Sequence, residues 1–445
     1  MAGLTSTLEI ARRTLLNEQI LIQTASHNIA NAENKTYARQ KVTLTTNAPE
    51  RVPSGWMGTG ASIDRIVQVR DQYIERQLMT STAQESDFRT RVSFLELIGT
   101  YLKDDGETGI SQDLGEFWDA WGTLSTNPDG IVARQGVISA AERLAGTLKT
   151  ANSDLSALKE KIQSQTGDTV TKINTLLNRI ADYNNSISGI EYNGRQANDL
   201  RDLRYKAIAD LSELAGITYG EESDGSITVS LKDGATSVTL VSNEKAGSLS
   251  FSQSTGLVSY KDADGNDIAP DPNDLSGGSL AGLLASAQKT TDFSNRIDTL
   301  AGELIEQVND RYDSTHVQTV FDGSSAADIA VNSAFRTPGN IIADYASDIA
   351  DLEDTELADL DDSRFVDYLG AVQQQIGLDQ EDAASRADFQ QALAEYLETQ
   401  RQSVSGVSVD EEMIDLLQFQ QVYQAAAKVV NTTRELLDTV IGMVG

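Results

Sequence analysis

Three kinds of stretch in this sequence carry residues that do chemistry in other settings. GWMGTG (55–60) concentrates glycine as phosphate-cradling loops do, and DADGND (262–267) spaces carboxylates and an amide as calcium loops do. Adjacent acids such as Asp361-Asp362 resemble the paired carboxylates that cleave glycosidic bonds. Each fails on spacing. The glycines run G-x-x-G-x-G, and a strand-like alternation follows where a phosphate loop needs a helix N-terminus. The calcium pattern has Asp267 at its sixth position where glycine is required, and Asn273 at its twelfth where a bidentate glutamate is required. With 67 acids in the chain, neighbouring pairs arise by chance, and no aromatic-lined sugar cleft accompanies them. His27 and His316 lie far apart, with no Cys or Glu at ligand spacing. Trp118 and Trp121 stand at i, i+3, an ordinary spacing for a helix core. No catalytic, cofactor or metal constellation emerges, and the chain reads as a non-enzyme.

Charge narrows the classes further. The formal net charge is −32, whereas phosphate neutralisation needs clustered Lys and Arg, so nucleic acid and anionic lipid are both excluded as partners. The distribution is uneven. Residues 340–400 carry sixteen Asp/Glu against two Lys/Arg, but residues 1–60 carry four against six. The acidic part reads as a solvated face, and the near-neutral ends as surface that becomes covered. Cysteine is absent, which removes disulfides, thiolate metal sites and a cysteine nucleophile. A cleaved secretory signal is not expected, because Arg12-Arg13 interrupt the first apolar run, and no stretch approaches the ~20 apolar residues of a membrane span.

The elements that would position any site are mostly helical. Leu8, Leu15, Ile22 and Ile29 recur every seven residues, with Leu4, Ala11 and Ala25 between them and Glu18 breaking that second row. At the other end Val409, Leu416, Tyr423, Val430, Leu437 and Val444 recur likewise. Phe419, Ala426 and Val440 fill the partner row, in which Glu412 and Thr433 are polar exceptions. Both ends are thus predicted to be coiled-coil-like helices, and one thin seam between them asks for further burial against neighbouring subunits.

A third seam steps through Leu144, Leu148, Ala151, Leu155, Leu158 and Ile162, crosses Thr166 and Thr169 in a stutter, and resumes at Ile173, Leu176, Ile180, Tyr183 and Ile187. It predicts a rod over 131–190, about 90 Å long at 1.5 Å per residue, unless Gly167 interrupts it. From residue 217 the period changes to two, with Ile227, Val229 and Leu231 alternating before an Asp233-Gly234 turn. Short strands are also predicted over 37–46 and 61–69, with a helix opening at Asp71. Helical periodicity resumes at Leu280, residues 313–345 read as irregular, and acidic helices are expected from there to about residue 402.

The predicted fold is mainly α: a long coiled-coil-like rod, paired N- and C-terminal helices and a small inserted β domain. Its expected divisions are 1–60 with 405–445, 61–215 with 275–404, and the insert at 216–274.

At this point specific motifs carry a resemblance. SHNIANAENKTYARQKV (26–42) resembles the S-x-N-I-A-N…T-x-G-Y-x-R-Q signature of axial flagellar proteins, with Lys35-Thr36 standing where the family has Pro-Gly. GWMGTGASIDRIVQVRDQYI (55–74) and SGVSVDEEMIDLLQFQQVYQAAAKVVNTTRELLDTVI (405–441) are similar to the segments that follow and close it. NDLRDLRYKAIADLSELAGITYGEESDGSITVSL (198–231) and GGSLAGLL (277–284) resemble the entry to and return from the β domain of the hook-associated protein 1 family.

The resemblance implies a structural adaptor ring between flagellar hook and filament, exported without a cleaved signal through the flagellar type III apparatus to the cell exterior. Implied partners are further copies of the chain, the hook protein, the second hook–filament junction protein and an export chaperone at the C-terminal helix. The assembly interface it implies comprises Leu8, Leu15, Ile22, Asn28, Ile29, Asn31, Tyr37, Arg39, Leu416, Phe419, Tyr423, Val430, Leu437 and Val440. Two rivals remain: another axial protein, and a secreted hydrolase of cell-wall glycan.

Overall fold

The computed structural model describes residues 2–52, 55–104, 108–192, 196–222, 224–234, 236–268, 275–313 and 318–444; His316, Pro270, Pro272 and Asn273 lie outside them. Helix α1 (Ala2–Ala30) leads into a ribbon in which β1 (Gln40–Thr46) pairs antiparallel with β4 (Ala61–Gln68). Between them β2 (Glu50–Val52) and β3 (Gly55–Met57) pair as a short arm, so the first half of GWMGTG is strand. The division expected at residue 60 therefore falls inside the ribbon.

Asp71 opens α2 (Gln72–Tyr101) by accepting hydrogen bonds from the amides of Tyr73 at 2.8 Å and Ile74 at 3.2 Å, which satisfies two donors that the first turn leaves free. After α3 (Ile110–Thr126) comes the rod α4 (Ile131–Glu191), 61 residues long. It runs through Gly167 without a break. At the stutter, Thr166 and Thr169 are buried, and the Thr166 hydroxyl donates to the Ile162 carbonyl at 2.8 Å.

The rod threads two cores. Residues from Ala133 to Ile162 share the first with α2, α3, α6 (Gly278–Tyr312) and α8 (Phe365–Ser405). At its centre the buried Trp118 and Trp121 join Phe117, Tyr312, Phe321, Phe335 and Phe365 in tilted and edge-on ring contacts.

Residues from Val170 to Ala181 share the second core with α5 (Asn198–Leu214) and the β region. That region has a four-stranded sheet of β5 (Ile217–Glu221), β6 (Ile227–Asp233), β7 (Thr236–Ser242) and β8 (Lys245–Ala246). A three-stranded sheet of β9 (Ser248–Ser252), β10 (Leu257–Lys261) and β11 (Asp267–Ile268) completes it. Two rod asparagines fasten it. Asn174 exchanges two 2.8 Å bonds with the backbone of Leu249, and Asn184 bonds the amide and carbonyl of Ile227 and the carbonyl of Asn243. The GGSLAGLL return is decided by backbone room: at Gly278, with φ 81°, an added Cβ would lie 2.4 Å from Ala215.

Residues 346–364 depart from the helical expectation, and with the stretch 318–345, irregular as predicted, they form one turn-rich segment. It holds β12 (Phe321–Asp322), β13 (Ala330–Val331), the five-residue α7 (Ala346–Ala350) and 3₁₀ turns, anchored by the buried Ile349, Leu352 and Leu360. Crowded aspartates favour turns over helix interiors, so regular helix returns only with α8. Helix α8 packs along α2 back toward the ribbon, and α9 (Val409–Val444) then lies antiparallel on α1.

Candidate assembly site where the end helices join the body

The site lies where α1 ends and the chain turns into β1. Asn28 is buried at that point and uses every hydrogen-bonding group of its amide. Its Oδ1 accepts from the Gln40 amide at 3.0 Å and the Tyr37 hydroxyl at 2.7 Å, while its Nδ2 donates to the Gln40 carbonyl at 2.9 Å and to Glu412 Oε2 at 3.1 Å. One side chain therefore serves as an extra strand partner for the first residue of β1 and ties it to α9. Asn31 closes the helix by donating to the His27 carbonyl at 3.0 Å. His27 meets the Tyr37 hydroxyl through Nδ1 at 3.1 Å with its ring edge-on.

Glu412 is the link to the other end of the chain. Its buried carboxylate takes the Asn28 bond on one oxygen and the Arg39 Nε bond, 2.6 Å, on the other. Arg39 also lies 3.4 Å from Glu411 and 3.8 Å from Asp415, and its backbone amide donates to the Ser405 carbonyl at 2.9 Å. The Arg401 guanidinium donates to the Lys35 carbonyl on the same turn. Burial, reinforced by Asp202, Asp199 and Glu412, holds the Tyr37 phenol well above its ordinary range, so it stays a neutral donor.

A second polar layer joins the ribbon to α5. Gln68 donates to Asp202 at 2.7 Å, Arg70 bonds Asp202 at 2.7 Å and Glu75 at 2.9 Å, and its guanidinium lies 3.9 Å over the Tyr205 ring. Desolvation outweighs these donors and pushes the Asp202 carboxyl up to about 6. A carboxyl raised in the folded state binds more protons folded than unfolded between pH ~4 and ~6. Its contribution is complete below that window and is lost as pH rises through it. Asp202→Asn is expected to flatten this limb of a stability–pH curve measured by denaturant midpoints; an unchanged limb would assign it to another group.

Outward from this point the seam continues. Leu8, Leu15, Ile22 and Ile29 on α1, and Leu416, Phe419, Val430, Leu437 and Val440 on α9, are part-buried, Ala11, Ala25 and Ala426 are buried, and Tyr423 is exposed at its edge. The Val444 side chain lies outside the described residues. The three polar exceptions differ. Glu412 is fully bonded, Thr433 is buried, and Glu18 keeps a buried oxygen without a partner, its carboxyl raised by desolvation. Sequence reasoning treated Glu412 as a flaw in an apolar row. The available signal was an acid interrupting one heptad seam while an asparagine and an arginine close the other.

The stretches with catalytic overtones are structural. Asp262 closes the β10–β11 turn by accepting from the amides of Asp264 and Asn266, and Asp361 and Asp362 sit on an exposed turn with φ 59° and 53°. Among the described residues no His/Cys/Asp/Glu group fits a metal ion, and no helix is long and apolar enough to cross a membrane.

A long helical body carried on two end helices that lock to each other is the build of a structural subunit. Comparison agrees: residues 398–443 match the model "flagellar basal body rod FlgEFG protein C-terminal", and residues 95–317 match "flagellar hook-associated protein FlgK helical domain". The chain belongs to the flagellar hook-associated protein FlgK family, structural proteins of the hook–filament junction. It is similar to the flagellar hook-associated protein 1 of Bacillus subtilis, 26% identical over 98% of both chains. Its match to the Salmonella typhimurium protein of that name is 28% identical, covering 67% of this chain and 54% of that one. The flagellar hook junction protein FlgK from Burkholderia pseudomallei is a solved structure 27% identical to it, with a TM-score of 0.47 over 53% of this chain and 43% of that one.

Proposed function

We propose that copies of this chain form the adaptor ring between hook and filament, joined by α1 and α9 within and between subunits. The supporting observation is the second apolar row on α9. Its inner row faces α1, while Val422, Val429, Leu436 and Met443 recur every seven residues beside it and stay exposed. A helix with apolar residues on two adjacent flanks has burial left for a neighbour. In this reading residues 1–60 with 405–445 form the inner layer, 61–215 with 275–404 the helical body, and 216–274 the outward β insert.

Leu8, Leu15, Ile22 and Ile29 then pack with Leu416, Phe419, Tyr423, Val430, Leu437 and Val440, while Asn28, Asn31, Tyr37 and Arg39 set the angle at which the body leaves the tube. The hook protein lies on one side of the ring and the second junction protein on the other. An export chaperone covers the exposed α9 row before assembly, and the chain leaves the cell unfolded, without a cleaved signal, through the flagellar type III apparatus. The reading assigns it no reaction. Deleting the gene is expected to leave hooks of normal length with flagellin shed into the medium. Cells that still carry attached filaments would contradict the adaptor role.

A further inference from the structure

The protein has three tryptophans, and they occupy opposite environments. Trp118 and Trp121 are buried at the centre of the first core, whereas Trp56 on the β2–β3 arm is 71% exposed. Arg51 is the cross-strand partner of Trp56, so both side chains leave the same face of the arm. The arm belongs to the cationic part of the chain: residues 34–65 hold five Lys/Arg against two Asp/Glu.

Helix α8 offers the complement. Its buried residues face α2, and Leu378, Asp382, Ser385, Phe389, Ala392 and Tyr396 follow one another by fours and threes along the opposite, exposed side. Phe389 is 65% exposed and Tyr396 59% exposed. Seven residues apart, they form one row, and Asp388 and Glu395, also seven apart, form an acidic row beside it. Over 365–405 the helix carries seven Asp/Glu against two Lys/Arg.

An aromatic ring beside a cation on one surface and aromatic rings beside carboxylates on the other are matched in both respects. Both surfaces are exposed, so they do not meet within one chain. We propose that the β2–β3 arm of one copy docks on the outer face of α8 of a second copy, Trp56 on Phe389 and Tyr396 and Arg51 against Asp388 and Glu395. The contact rests on the reading that copies assemble side by side. It adds to that reading a connection outside the end-helix seam, made by the body of one subunit and the ribbon of another.

The absence of cysteine makes a direct test clean, since engineered thiols have no native competitor. Flagella are purified from cells whose only copy of the chain carries Trp56→Cys with Phe389→Cys, oxidised mildly, and resolved without reductant. Apposed sites are expected to give a ladder of chain multimers at roughly ten times or more the yield of Trp56→Cys with Tyr192→Cys, because docking raises the effective thiol concentration. Tyr192, which caps the C-terminal end of the rod and is 89% exposed, serves as the reactivity control. Adding Arg51→Glu should lower the ladder, and adding Glu395→Arg to that variant should bring it back. Incorporated chain with no ladder above the control, or a ladder indifferent to the charge exchange, overturns the contact. Chain missing from flagella in the wild-type background overturns the junction reading itself, and the contact with it.

Discussion

Leu416→Asp together with Leu437→Asp is expected to abolish incorporation at the hook tip while the body folds and is secreted normally. Both leucines lie part-buried on the α9 face that meets α1, three heptads apart. Each loses part of the roughly 1.5–3 kcal/mol that burying a leucine contributes. Each also sets a carboxylate against an apolar surface, where it must stay hydrated or take up a proton. Two such breaks in a seam this narrow leave only short apolar stretches between them. The two body cores are built from other residues, with Trp121 and Ile173 at their centres, so far-UV circular dichroism and the thermal transition of the body should change little. Immunoblots of purified flagella against culture supernatant provide the readout. Normal incorporation would sink the seam as the means of assembly.

Arg39→Ala is expected to loosen the turn by about 3–5 kcal/mol, because it leaves the buried Glu412 carboxylate without its cation. The loss should be largely relieved by Glu412→Leu in the same chain, which replaces a stranded charge with one more apolar seam residue. Asn28→Ala acts on the same carboxylate and also orphans both backbone groups of Gln40, an effect of about 2–4 kcal/mol. Since Asn28 and Arg39 share Glu412, the double variant should lose less than the two singles added together. Amide exchange over residues 36–46 and 405–415 measures all four variants. If Arg39→Ala leaves those amides as protected as in the parent chain, the latch is surface decoration.

Much of the architecture was legible because it is periodic. A seven-residue repeat commits both ends to helices with one apolar seam, and the rod from residue 131 follows from its unbroken alternation of threes and fours, in a stretch from Pro128 to Pro270 with no proline between. The strands of the β region follow from their period of two. Asp71 opens its helix because its carboxylate sits where two free amides point. The motifs at residues 26–42 and 405–441 likewise identify the kind of protein before any coordinate is known.

What the linear chain could not decide was the meaning of its polar exceptions. Glu412 interrupts a row of leucines and valines, and only the antiparallel placement of α9 on α1 brings Asn28 and Arg39, more than 370 residues away in sequence, onto its two oxygens. Asn174 and Asn184 find their backbone partners only when the β sheets lie against the rod. The aspartates before residue 365 suggested helix by their setting, yet the chain turns repeatedly there to bury Ile349, Leu352 and Leu360. Periodicity is a local property of the backbone and is written in consecutive residues. A buried hydrogen bond between distant segments depends on where the packed cores bring them, and that is settled only when the chain has folded.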